Sequence, residues 1–116
     1  MNEFDIPIFK KTYNLYGEFY NLRLSIPKQD RYTIWQKNEK LLIEILENLL
    51  LASQQSKLEK LSTLERASLK LNLLRVFIRL MKDVKALDNK KYINLEVSID
   101  DIGRQLGGWI KSIRGR

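Results

Sequence analysis

The sequence contains neither cysteine nor histidine. Without cysteine the chain can form no disulfide bond and no thiolate metal site, and this absence favours the reducing cytoplasm as its location. Without histidine it lacks the commonest general base and the commonest ligand of transition metals. These absences argue against zinc hydrolases and against Cys–His and Ser–His–Asp proteases. We therefore expect a protein that is not an enzyme and that uses no metal or other cofactor.

Long hydrophobic runs are also missing. No apolar stretch approaches the ~18 residues that a transmembrane helix needs, and the longest, LLIEILENLLLA, is interrupted by Glu44, Glu47 and Asn48. The first residues, MNEFDIPIFKK, carry acidic side chains where a secretory signal has a basic region. The sequence predicts a soluble, cytoplasmic protein that does not contact a membrane.

Basic residues outnumber acidic ones. The chain has 21 Lys and Arg against 14 Asp and Glu, which gives a formal charge of +7 and a pI near 9.7. Such an excess favours polyanionic partners, with nucleic acid first and an anionic membrane surface second. A basic surface without a partner stays open as an alternative. The length of 116 residues fits a single domain over residues 1–116.

Proline occurs only twice, and both residues fall at predicted breaks. Pro7 suits the first turn of a helix, where its missing N–H costs nothing, and this helix is expected to end near Leu24. Pro27 cannot continue a helix and therefore predicts a loop. Asp30 is then the expected N-cap of a second helix, which runs to about Gln55.

The stretch from Ser62 to Leu87 contains neither glycine nor proline and predicts a long third helix. Ser62 and Glu65 match a capping box at its start. Asp88 is the expected cap of a fourth helix, whose last residues, 112–116, are expected to fray. No strand pattern occurs. The predicted fold is therefore all-α, an antiparallel up-down four-helix bundle.

Apolar residues of the third helix form two neighbouring stripes. Together they cover roughly 200° of the helix surface, against about 100° for an ordinary surface helix. One stripe can face the bundle, and it comprises Ala67, Leu71, Leu74, Ile78 and Met81. The other needs more helices of the same chain or a second copy of it, and it comprises Leu69, Leu73, Val76, Leu80 and Leu87. We predict that the first four residues of this second stripe form a homo-oligomer interface.

Aromatic residues recur along the first helix at helical spacing. They are Phe9, Tyr13, Tyr16, Phe19 and Tyr20. Such a stripe could stack the bases of a nucleic acid. The helical spacing favours the other interpretation, in which the rings pack into the core of the bundle.

Two motifs of the fourth helix do not indicate catalysis or metal binding. Asp100 and Asp101 point about 100° apart on a helix, so their carboxylates would not converge on one ion. We interpret them as surface carboxylates or as partners of nearby cations. Gly107 and Gly108 follow no strand and precede no Lys-Ser/Thr pair, so they do not form a phosphate-binding loop.

Rows of cations on the third and fourth helices predict a surface that binds RNA or DNA phosphates. The row on the third helix follows i, i+4 and i+7 along its polar face, and no acidic residue occurs after Asp101. No base-reading motif accompanies these cations, so binding is expected to be mainly electrostatic. A solvated face that keeps the helix soluble is the alternative. The predicted nucleic-acid-binding residues are Arg75, Arg79, Lys82, Arg104, Lys111 and Arg114.

A resemblance to a known family covers nearly the whole chain. It is carried by the C-terminal stretch 102–111, IGRQLGGWIK, by the turn containing Pro27, Lys28 and Arg31, and by the Leu- and Arg-rich third helix. The leucine periodicity alone is not specific, whereas the element GR-x-LGGW is fairly specific. In these features the sequence resembles the accessory variability determinant (Avd) proteins of bacterial and phage diversity-generating retroelements.

The resemblance implies both an assembly and a function. Avd proteins are four-helix bundles that form a basic, barrel-like homopentamer, so this chain is expected to form a pentameric ring. They partner the reverse transcriptase of the element, and the resemblance implies that the basic surface of this chain engages nucleic acid during mutagenic retrohoming. A sister group, the intervening-sequence proteins encoded within ribosomal RNA genes, shares the bundle and the ring. It offers the alternative of a structural oligomer with no nucleic-acid role.

Overall fold

Four long helices run alternately up and down around one apolar core. The structure, a computed structural model, describes residues 2–115, apart from the side chain of Glu3. Each helix packs against the next, and the last closes the bundle by packing against the first. Within the described residues the fold is all-helical, as the sequence predicts. The helices are α1 (Pro7–Asn21), α2 (28–54), α3 (Lys57–Asp83) and α4 (Asn89–Arg114).

The break at Pro27 separates α1 from α2, although both helix ends differ from the predicted ones. α1 ends at Asn21 rather than near Leu24, because a 3-10 turn at Arg23–Ser25 follows it. α2 begins immediately after Pro27, whose fixed φ is compatible with the residue that precedes a helix. The predicted N-cap role of Asp30 is therefore wrong: Asp30 has helical backbone angles and makes no side-chain cap.

The start of α2 contains a π-helical turn that fixes one large aromatic side chain. This turn spans Arg31–Trp35, and the regular α-helix continues over Gln36–Gln54. The Trp35 ring is buried and stacks on Phe19 of α1, with 5.1 Å between ring centroids. Its indole N–H donates to the Phe19 carbonyl oxygen at 3.3 Å. The turn thus fastens α2 to α1 close to the loop that joins them.

The cap of α3 lies six residues before the predicted one. Ser56 is the N-cap, and its hydroxyl accepts a hydrogen bond from the Glu59 backbone N–H, while the Glu59 carboxylate accepts one from Ser56 N. This is a capping box. The predicted box at Ser62 and Glu65 is wrong. Those two residues repeat the same pattern but lie inside the helix, where backbone N–H groups already have partners four residues earlier.

The end of α3 is also earlier than predicted. The helix stops at Asp83, and Lys85 adopts a left-handed backbone conformation with φ 65°. The N–H groups of Ala86 and Leu87 then donate back to the Met81 carbonyl oxygen. This reversal buries Leu87 in the core, so its predicted place in the outer stripe of α3 is wrong.

The cap of α4 is confirmed, but the predicted fraying at its end is not. The Asp88 carboxylate accepts a hydrogen bond from Lys91 N at 2.8 Å. The helix continues to Arg114, whose side chain makes an ion pair with Glu65 of α3 and so fastens the last turn. Residue 116 lies outside the described residues.

The two stripes of α3 separate as the sequence predicts. All five residues of the inner stripe are buried in the core. They face α2 and α4, whose own buried seams include Leu42, Ile45, Leu95 and Ile99. The remaining outer-stripe residues are 38–61% exposed. We call them the α3 ridge, which comprises Leu69, Leu73, Val76 and Leu80.

The aromatic stripe of α1 divides between core and surface. Phe9 and Phe19 are buried, and the half-buried Tyr16 donates a hydrogen bond to the Glu39 carboxylate at 2.8 Å. Tyr13 and Tyr20 are 53% and 58% exposed, so the core-packing interpretation is wrong for these two residues. Their Cα positions are rotated about 100° from the centre of the buried face, so their rings lie on the outer surface.

The capping box at Ser56 gives a direct stability test. Ser56→Ala should lower the free energy of unfolding by about 1 kcal/mol, because it removes the N-cap oxygen of α3. Ser62→Ala is the matched control, and it should change that free energy little because Ser62 is an exposed residue within the helix. Urea unfolding followed by circular dichroism measures both. Equal losses in the two variants would contradict the cap at Ser56.

Candidate nucleic-acid interface

The cations predicted on α3 face α4 across a seam between the two helices. Arg75 makes an ion pair with Asp100 of α4, and its side chain is one-third exposed. Its guanidinium lies over Gly103, where an added Cβ would come within 2.5 Å of an Arg75 nitrogen. Arg75 therefore joins the two helices, and Asp100 offsets part of its charge.

Arg79 and Lys82 continue this row towards the end of α3. Arg79 Nε lies 3.9 Å from an Asp83 carboxylate oxygen, and both side chains are exposed. Lys82 Nζ lies 4.8 Å from the centroid of the Tyr92 ring, which is a cation–π contact. Burial raises the pKa of Tyr92, and the nearby Glu96 carboxylate acts in the same direction. The phenol therefore stays neutral next to the ammonium group.

Arg104 shares a carboxylate with a cation of α1. One of its guanidinium nitrogens lies 3.2 Å from Asp101, which also makes an ion pair with Lys11. The Lys11 ammonium, hydrogen-bonded to Asp101, holds the pKa of that carboxyl below its usual value, and Arg104 adds to the effect. With Asp100 paired to Arg75, the interpretation of both aspartates as partners of nearby cations is confirmed. Arg104 itself stays 72% exposed.

The last turns of α4 bring further cations to the start of α3. Arg114 pairs with Glu65, whereas Lys111 is exposed and makes no ion pair with any residue of 2–115. Lys60 lies over the Trp109 ring, with its Nζ 5.7 Å from the centroid. Lys60 and Lys111 therefore occupy the same end of the bundle. Neither makes an ion pair with a carboxylate of the described residues.

Sequence reasoning missed Lys60 for an identifiable reason. A helix start at Ser62 leaves Lys60 in a loop with no defined direction. The start at Ser56 instead places it in the first turn of α3, within reach of Trp109. The first of the two Ser-x-x-Glu patterns, at Ser56 and Glu59, is the signal that would have found it.

Three of the six predicted cations, Arg75, Lys82 and Arg114, contact a residue of the facing helix across the seam between α3 and α4. Arg104 instead pairs with Asp101 beside Lys11 of α1. Because the helices are antiparallel, Lys82 lies opposite Tyr92 at one end and Arg114 lies opposite Glu65 at the other. The seam is about 26 Å long at 1.5 Å per residue. Four carboxylates pair with these cations, so the surface suits weak contacts with successive phosphates better than one tight anion site; they are Glu65, Asp83, Asp100 and Asp101. We call this surface the cationic seam.

Two other kinds of site, a metal centre and a membrane span, are absent from residues 2–115. Among the described residues, no three side chains of the acidic type come together in a way that could hold a metal ion. None of the helices in this part of the chain is both long enough and apolar enough to cross a membrane.

Comparison with known proteins gives one finding that decides the family. A family model described as bAvd-like matches residues 7–113, which include all of α1, α2 and α3 and nearly all of α4. The chain belongs to the bAvd-like family. The resemblance to Avd proteins is thereby confirmed, and membership of the bAvd-like family supports a general role as an accessory protein. A comparison with curated proteins found no match.

The carboxylate between Lys11 and Arg104 offers a test of the seam. Asp101→Asn should tighten the binding of a polyanion such as heparin about two- to fivefold at low salt, because it removes a negative charge that offsets Lys11 and Arg104. Glu44→Gln is the matched control. Glu44 of α2 pairs with Lys70 of α3, so this variant removes the same charge from an ion pair outside the seam. Fluorescence titration at two salt concentrations measures the change. Equal tightening in both variants would mean that only net charge matters.

Proposed function

We propose that this chain is a non-catalytic, cytoplasmic accessory protein of a diversity-generating retroelement. It assembles as a homo-oligomer, binds the reverse transcriptase of the element, and holds nucleic acid during mutagenic retrohoming. The match of the bAvd-like family model over residues 7–113 carries this proposal. Co-purification of the tagged chain with the reverse transcriptase of the same element tests the protein partner, and failure to co-purify would contradict that part.

The charge distribution supports nucleic acid as a partner. The chain has a formal charge of +7, and Arg104 and Lys111 expose cations beside a seam that several ion pairs rigidify. In a symmetric ring every protomer repeats this surface, so contacts that are weak in one copy add up through multivalency. Binding of this kind releases counterions and weakens steeply with salt.

The α3 ridge supports the homo-oligomer. Its four residues are contiguous on the helix surface and include Leu69 and Val76, which are 60% and 61% exposed. Monomeric proteins rarely expose so many large apolar side chains in one row. Burial against another copy removes this surface from water.

A second candidate is a structural oligomer of the intervening-sequence type with no nucleic-acid role. The ion pairs of the cationic seam favour it, because Asp100 and Glu65 offset the charges of Arg75 and Arg114. On this alternative the cations stabilise the contact between α3 and α4, and they have no external partner.

Assembly through the ridge predicts the effect of a charge placed there. Leu73→Glu or Leu80→Glu should dissociate the oligomer and leave helicity largely intact, because both side chains are outside the core. Val97→Glu is the matched control on an exposed apolar residue of α4, outside the ridge. Light scattering and circular dichroism measure mass and helicity. A wild-type mass near 13.8 kDa at micromolar concentration would refute the oligomer.

Salt dependence separates the two candidate functions. Arg104→Gln with Lys111→Gln should flatten the salt dependence of binding to single-stranded RNA and DNA by about 0.7 in log–log slope for each phosphate that the protein no longer neutralises. Arg75→Gln with Arg79→Gln should flatten it less, because Arg75 and Arg79 both pair with carboxylates and Arg75 is only one-third exposed, against 72% for Arg104. Lys28→Gln with Lys90→Gln, two exposed lysines outside the seam, controls for the change in net charge. No binding at about 50 mM salt, or slopes unchanged by the first two double variants, would favour the structural oligomer.

A further inference from the structure

A second apolar surface lies on the side of the bundle formed by α1 and α2. It is an open groove of about 490 Å³ between the two helices. Its apolar lining includes the two tyrosines that the sequence placed in the core. We call it the α1–α2 groove, and it is lined chiefly by Tyr13, Gly17, Tyr20, Ile43 and Leu46.

Gly17 leaves an opening in this groove that nothing within the chain explains. It lies in the middle of α1, where glycine costs about 1 kcal/mol relative to alanine. A Cβ added at this position would meet no atom within 4 Å, so no neighbour in the same chain requires its small size. Because Tyr13 and Tyr20 lie four and three residues away on the same face, Gly17 forms a gap between two exposed rings.

The shape of the α1–α2 groove complements that of the α3 ridge. The ridge is a convex row of branched side chains on a single helix, whereas the groove is a depression between two helices. At 1.5 Å per residue, the ridge from Leu69 to Leu80 is about 16 Å long, and the groove from Tyr13 to Tyr20 is about 10 Å long. Branched side chains that enter a hole between residues of facing helices give the close packing of helical interfaces.

Charged side chains also lie beside both surfaces. Arg66 and Arg79 are exposed next to the ridge. The surface of α2 beside the groove carries Glu39 and Glu47 together with Lys37 and Lys40, and its third carboxylate, Glu44, pairs with Lys70 of the same chain. Opposite charges at the rim of an interface set its orientation and speed association more than they add affinity.

We propose that the α3 ridge of one copy packs into the α1–α2 groove of a second copy, with a ridge side chain filling the gap at Gly17. This inference rests on the homo-oligomer of the proposed function and names the two surfaces that meet. Each copy has one ridge and one groove, so the contact is head-to-tail and can close into a ring. A ridge-to-ridge contact would instead stop at a two-fold dimer and leave the exposed tyrosines uncovered.

Mixing two variants tests the pairing directly. Leu73→Glu breaks the ridge and keeps the groove, whereas Ile43→Glu, at a 41% exposed position, breaks the groove and keeps the ridge. Each variant alone should be monomeric. Their equimolar mixture should form a heterodimer of about twice 13.8 kDa and nothing larger, because only one intact ridge and one intact groove can meet. Native mass spectrometry with one variant tagged identifies this species.

The opposite result is equally clear. If Ile43→Glu assembles like the wild type, or if the mixture contains only monomers, the ridge does not enter the groove. A wild type that is itself monomeric would refute the oligomer of the proposed function. An oligomeric wild type with these negative results would refute only the pairing of the two surfaces. Circular dichroism of each variant confirms that the bundle is folded.

Filling the gap provides an independent variant, because a Cβ added at Gly17 meets no described atom of its own chain within 4 Å. Gly17→Leu should raise helix stability but weaken assembly at least tenfold, because its side chain occupies the space that the ridge needs. Gly107→Leu is the matched control, since Gly107 also lies inside a helix with nothing within 4 Å of an added Cβ. It should leave assembly unchanged. Dissociation constants from analytical ultracentrifugation decide the matter, and unchanged assembly of Gly17→Leu would overturn the proposal.

Discussion

The bundle depends on the burial of one face of α3 between α2 and α4. Leu64, Leu74 and Met81 on this face are fully enclosed, and each such side chain contributes roughly 1.5–3 kcal/mol relative to exposure. Ion pairs fasten the two flanks of α3 to the neighbouring helices. An ion pair links Arg75 to α4, and a more distant one links Lys70 to Glu44 of α2. The opposite face of α3, the α3 ridge, stays apolar and exposed to solvent, and the proposed assembly buries this exposed apolar surface.

Periodicity was sufficient to predict the fold and the division of α3 into two faces, because both depend only on the 3.6-residue repeat. The helix starts could not be predicted as well. Ser-x-x-Glu occurs at Ser56 and again at Ser62, and only the extended backbone of Ser56 shows which pattern caps the helix. No pattern along the sequence predicts the π-helical turn of α2. The turn accompanies the stacking of Trp35 on Phe19, which is a contact between two different helices, and periodicity within one helix cannot reveal such a contact.

The candidate site was predicted as a set of cations but not as a network. Spacing on one helix identifies residues that share a face, and Arg75 and Lys82 do follow one seam. It cannot reveal what the neighbouring helix presents opposite them, here Asp100 for the first and Tyr92 for the second. The charge available to an outside partner is therefore smaller than a count of cations suggests, and it is concentrated towards the exposed side of α4.

The contact between Arg75 and Gly103 makes the two positions dependent on each other. The guanidinium occupies the volume that any side chain at position 103 would need. A larger residue there must push the arginine outwards, away from Asp100 and towards solvent. The size of the residue at position 103 therefore determines how far the Arg75 guanidinium is exposed to solvent, and so how much of its positive charge an outside partner can contact. During divergence of the family, the two sites are expected to change as a pair, so that a bulky residue at one coincides with a shorter or neutral residue at the other.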